Sequence, residues 1–116
     1  MLPAMSTTLT QHSARSLRGI KLFDGLPDAD LKALEAQCRF RSYTKGETLL
    51  DKGSLTREVF FVLKGAAAAV TFSPAGREVT LGIIRAGDQF GELAAVGQEP
   101  RSATVTAMEP TDVAIM

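Results

Sequence analysis

The sequence predicts a mainly β fold with flanking helices: a double-stranded β-helix, or jelly-roll-like β-roll, with an N-terminal helical pair and one short helix late in the chain. Three observations predict it. Before Cys38 the apolar residues recur at helical spacing, whereas after it they fall in short β segments separated by glycine. The 116 residues are enough for one core but not for a second folding unit. Apolar residues make up 45% and charged ones 22%, the proportions of an ordinary globular protein.

Residues 1–14 are rich in Ser, Thr, Gln and Pro without an apolar period, and read as a flexible tail that contains His12. The domain proper is expected over residues 15–116. Leu17, Ile20 and Leu22-Phe23 predict a short helix and its exit, with Gly25 in the following turn. Pro27 near a first turn, Asp28 or Asp30 at its N-terminal end, and Leu31, Leu34 and Cys38 at helical spacing predict a second helix. Strands are expected at Arg39–Tyr43, Thr48–Asp51, Val59–Lys64, Ala66–Phe72, Arg77–Ile84, Ala103–Ala107 and Val113–Met116, with turns at Gly46, Gly53, Gly65 and Ser73-Pro74-Ala75-Gly76. The run Ala66-Ala67-Ala68-Ala69 is unusual in a strand, because alanine fills little space, and reads as close packing against a neighbouring strand.

The stretch from Gly87 to Thr104 reads as an anion cradle. Gly91 permits close backbone approach, and Glu92-Leu93-Ala94-Ala95 are good helix formers able to make one turn after it. The N-terminal donors of such a turn attract a phosphate, and Arg101 can add a forked, charge-assisted pair of hydrogen bonds. Glu92 is unfavourable beside a phosphate unless it has a donor of its own, which a ribose hydroxyl on the same ligand would supply.

Phe90-Gly91-Glu92-Leu93-Ala94 followed by Pro100-Arg101-Ser102-Ala103-Thr104 resembles the phosphate-binding cassette of the cyclic-nucleotide-binding domain family. Lys45-Gly46-Glu47, Gly53, Phe60-Phe61-Val62-Leu63-Lys64-Gly65 and Gly76-Arg77-Glu78-Val79 are similar to its strand and turn pattern, so the likeness runs from about Leu17 to the end. The resemblance implies that Arg101 and the backbone amides of Ala94, Ser102 and Ala103 bind the cyclic phosphate. It places Gly91, Glu92 and Leu93 at the ribose, and Ala69, opposite Leu81, at the base. The implied ligand is cyclic AMP, with cyclic GMP as the alternative, and the implied role is the sensory part of a transcription regulator of the catabolite activator kind or another signalling protein. Two departures stand out: Thr56 and Arg57 replace a glycine and an acidic residue common in the family, and the chain ends at Met116, before the family's C-terminal lid helix. An effector domain or homodimer partner is therefore expected through segments outside this chain.

Counting excludes other chemistries. Thirteen basic residues balance thirteen acidic ones, so the chain itself has no field for nucleic acid or an anionic membrane. One cysteine, Cys38, and one histidine, His12, cannot build an iron–sulfur or cupin-type metal site, and no nucleophile–base pair marks an enzyme. Short apolar runs and the lack of a leader pattern at the start predict a cytoplasmic protein. The rival expectation is a degenerate β-roll that binds no nucleotide and serves as a dimerisation or docking module.

Overall fold

Two antiparallel four-stranded sheets form a β-roll in the computed structural model, which describes residues 16–54, 56–91 and 103–116. The strands are β1 (Arg39–Tyr43), β2 (Thr48–Leu50), β3 (Phe60–Lys64), β4 (Ala66–Phe72), β5 (Glu78–Arg85), β6 (Gln89–Phe90), β7 (Thr104–Ala107) and β8 (Thr111–Ile115). One sheet has the order β1-β8-β3-β6 and the other β2-β7-β4-β5. Each strand expected from the sequence is present within two residues at either end, and β6 is an addition. It has only two residues, too few to show a period.

The strand residues alternate between two cores. Phe60 and Val62 of β3, Val113 and Ile115 of β8, Val105 and Ala107 of β7, and Ala67 of β4 meet in the core between the sheets, where Phe60 stacks on Phe90 with centroids 4.7 Å apart. Phe61 and Ala114 point the other way, into a second core completed by Leu17, Ile20 and Leu31. That is why Phe60-Phe61-Val62-Leu63 is an unbroken apolar run: β3 is covered on both faces. A bulge in β2 makes Leu49 the extra residue opposite the Thr106–Val105 step, so the adjacent Leu49 and Leu50 both enter the inner core.

The expected helical pair is corrected to one short helix. Helix α1 (Asp28–Glu35) starts after Pro27 with Asp28 and Asp30 in its first turn, and buries Leu31. The expected first helix is a single 3-10 turn, Lys21–Phe23. Gly19 at φ +96° and Gly25 at φ +87° bracket it, and this left-handed backbone cannot continue a helix. Leu17, Ile20 and Phe23 nevertheless dock on the second core as expected, Phe23 with its ring 5.1 Å from that of Phe61. Cys38 lies past the end of α1 but packs on the same core; burial, with Glu35 nearby, pushes its thiol pKa up, so it is held as the thiol. The tail, residues 1–14, lies outside the described residues.

Two turns hold the sheets in place. Gly65, at φ +91°, joins β3 to β4 under the β7–β8 connection; a Cβ there would lie 2.3 Å from the Pro110 carbonyl oxygen and 2.7 Å from Thr111 Oγ1. The buried Thr111 hydroxyl lies within donating distance of the carbonyls of Ala66 (3.0 Å) and Glu109 (2.8 Å). At the β5–β6 turn, Asp88 accepts hydrogen bonds from the Arg85 amide and from Lys21 Nζ, each at 3.0 Å, while the Lys21 amide donates to the Gly87 carbonyl at 2.9 Å. These bonds tie the segment before α1 to the turn that leads into β6.

Gly46 shares a φ of +91°, but a Cβ added there would meet nothing within 4 Å, so the two glycines separate backbone strain from collision. Gly46→Ala should cost about 1–2 kcal/mol, the left-handed penalty alone, and Gly65→Ala at least about 2 kcal/mol more, measured by urea denaturation. The amide of Arg85 first, and then Lys21, hold the Asp88 carboxyl below its ordinary pKa. The folded pKa is thus lower than the unfolded value of about 3.9, so the stabilisation is complete above that value and is lost as pH falls through the folded pKa. Asp88→Asn should lower the melting temperature by about 2–4 °C at pH 7, a modest shift for a mostly exposed pair, and the gap should close below about pH 4 in thermal scans followed by circular dichroism.

Candidate ligand site

The chain leaves one sheet and enters the other at the two ends of the anion-cradle motif. Phe90 ends β6 beside β3, and Gly91 follows it at φ +95°, a conformation that glycine adopts without the cost of a Cβ. Ala103 then leads into β7, which lies between β2 and β4 in the other sheet. The motif therefore spans the step in the chain from one sheet to the other. Gly91 and Ala103, both half-buried, are its described members; Glu92, Leu93, Ala94, Arg101 and Ser102 lie outside the described residues, as does the expected short helix.

The two residues expected at the base lie on the β4–β5 hairpin. Ala69 is half-buried against the inner core, and its cross-strand partners are Gly82 on β5 and Val105 on β7. Leu81 is not directly opposite Ala69: the next pair is Val70 with Thr80, so Leu81 is the extra residue of a bulge and stands 58% exposed. A Cβ at Gly82 would meet no atom within 4 Å. Ala66 and Ala67 of the alanine run are buried, as close packing against a neighbouring strand predicts, and Ala69 is packed against the same core as Ala67.

Two polar side chains in or next to the motif have partners that the sequence does not indicate. The Lys52 amide donates to Thr104 Oγ1 at 3.0 Å and its Nζ donates to Thr71 Oγ1 at 2.9 Å, so one lysine spans β7 and β4 just beyond the cradle. Its position after β2 and before Gly53 has no period that would single it out. Asp88, in the turn before β6, is the other, since it reaches Lys21 across 67 positions of sequence. Among the described residues, no group of three His, Cys, Asp or Glu side chains is arranged to hold a metal ion, and no helix is long and apolar enough to cross a membrane.

Comparison with known proteins agrees with this geometry. The family model described as the cyclic nucleotide-binding domain matches residues 40–116. The chain is 35% identical over 96 residues to the cAMP-dependent protein kinase regulatory subunit of Mycosarcoma maydis, covering 83% of this chain and 18% of that protein. It is 35% identical over 88 residues to the cAMP-activated global transcriptional regulator Vfr of Pseudomonas aeruginosa, covering 72% of this chain and 41% of that protein. The solved catabolite activator protein of Thermus thermophilus superposes with a TM-score of 0.76 at 26% identity, over 83% of this chain and 45% of that one. The chain thus spans less than half the length of each of these relatives. With its roll, its sheet-bridging motif and a family match over most of its length, the chain belongs to the cyclic nucleotide-binding domain family.

Proposed function

We propose that this domain binds cyclic AMP, with cyclic GMP as the weaker candidate, and acts as the non-catalytic sensory part of a cytoplasmic transcription regulator. The observation that carries the reading is the phosphate-cassette motif placed where the chain passes from β6 to β7, with Gly91 in a left-handed conformation at its entrance. Family membership alone would not suffice, since function resides in the site and not in the fold. Arg101 and the amides of Ala94, Ser102 and Ala103 hold the cyclic phosphate, Glu92 accepts from the ribose hydroxyl beside Gly91 and Leu93, and Ala69 with Leu81 meets the base. The names of the Mycosarcoma and Pseudomonas relatives favour cyclic AMP, and Vfr and the Thermus protein favour a transcription regulator.

The response is a shift between two positions of the flanking segments, limited by the ligand's differential affinity for them. The Lys21–Asp88 ion pair and the Lys21–Gly87 backbone bond supply a path, because they join the segment before α1 to the turn that feeds β6 and Gly91. The effector and any subunit-pairing helix lie on segments outside this chain.

Titration calorimetry with both nucleotides tests the reading, and the absence of saturable binding would leave a docking module instead. Arg101→Ala should weaken cyclic AMP binding by about 2–4 kcal/mol with little change in the unliganded melting temperature, and Arg101→Lys should recover only part of the loss. A 2′-deoxy cyclic nucleotide should bind the parent chain less tightly, yet bind Glu92→Gln with little further loss, because both changes remove the same contact. Equal deoxy penalties in parent and variant would reduce Glu92 to a helix-end residue.

A further inference from the structure

Among the four strands at the sheet edges, β5 is unlike the others. β2 and β6 are short, three and two residues, and β1 carries Arg39 and Arg41, the first paired with Glu58 and the second lying over the Tyr43 ring at 4.6 Å. Short length and charge are how native sheets keep an edge from pairing with another chain. β5 has eight residues, Glu78-Val79-Thr80-Leu81-Gly82-Ile83-Ile84-Arg85, with β4 on one side and no described strand on the other. Its interior has no charge and no proline, and Val79 (41%), Leu81 (58%) and Ile83 (37%) are exposed.

The sequence of this edge is complementary to itself. Turned about a two-fold axis through Gly82, with Leu81 left out of the ladder as the bulge residue, an antiparallel second β5 sets Glu78 against Arg85 of the second copy at both ends. Between them Val79 meets Ile84, Thr80 meets Ile83, and Gly82 meets its own copy. Opposite charges facing across strands stabilise such a register, and a one-residue slip would separate them. With Leu81 bulged out, the ladder has three residues on each side of Gly82, where no side chain blocks the approach.

We propose that β5 is a docking edge for a second copy of this chain, joining two four-stranded sheets into one eight-stranded sheet across a two-fold axis. Two strands bury less than a standard interface, so the dimer forms and separates with concentration. The residues that specify it, Glu78 and Arg85, lie at the two ends of β5.

Sedimentation equilibrium of the parent chain from about 5 to 500 μM should show a mass rising from one chain toward two. Glu78→Arg or Arg85→Glu alone places like charges opposite one another and should raise the dimer dissociation constant at least about tenfold, while the double exchange should return it to within about threefold of the parent. A single-chain mass throughout the range overturns the proposal. So does association that ignores the single exchanges, or a double exchange as weak as either one, since each would place the contact elsewhere or show that the charges do not set it.

Discussion

The strand pair β3–β8 is the constraint on which the rest of the structure depends. Both strands lie inside their sheet and are buried on both faces, so one side of Phe60, Val62, Val113 and Ile115 closes the roll while Phe61 and Ala114 anchor the N-terminal segment. Removing either face would leave a sheet with one side uncovered. The same pair positions the candidate site: β6, which is followed by Gly91, pairs with β3 among the described strands, through Phe60 opposite Phe90 and Phe61 opposite Gln89. The Phe60–Phe90 stack is therefore both core and support for the entrance to the cassette.

Around that buried centre, the hairpin and turn that flank the candidate site are more exposed. The hairpin of β4 and β5 stands at one edge with Phe72, Val79, Leu81 and Ile83 exposed, and its bulge places Leu81 beside Ala69 without pairing the two. The turn at Gly87-Asp88 is tied to both the inner strand, through bonds with Val62, and the N-terminal segment, through Lys21. A change at the β6 end can thus reach the segment before α1 through a few directed bonds rather than through the core, which suits a two-position response better than a continuous deformation.

The strands other than β6, helix α1 and the residues that dock on the second core are legible in the sequence because each rests on a local rule: a period of two, a helical spacing, a proline and acidic first turn, a glycine between strands. The cassette motif is legible as chemistry for the same reason, since Gly91, Glu92 and Arg101 carry meaning at fixed spacing. The expected first helix is only a 3-10 turn because Gly19, as well as Gly25, takes left-handed backbone, and apolar spacing over so short a stretch does not register Gly19.

What the sequence by itself determined was the alternation of apolar residues, and with it the number and order of most strands and the residue types in the stretch from Gly87 to Thr104. Tertiary structure alone decided which of those strands are neighbours, where the bulges at Leu49 and Leu81 fall, that Ala69 faces Gly82, that Lys52 spans Thr104 and Thr71, and that β5 is left at an edge. The physical reason is range: periodicity and turn chemistry act between residues a few positions apart, whereas pairing and register are settled by burying both faces of β3 and β8 at once, with contacts between residues far apart in the chain.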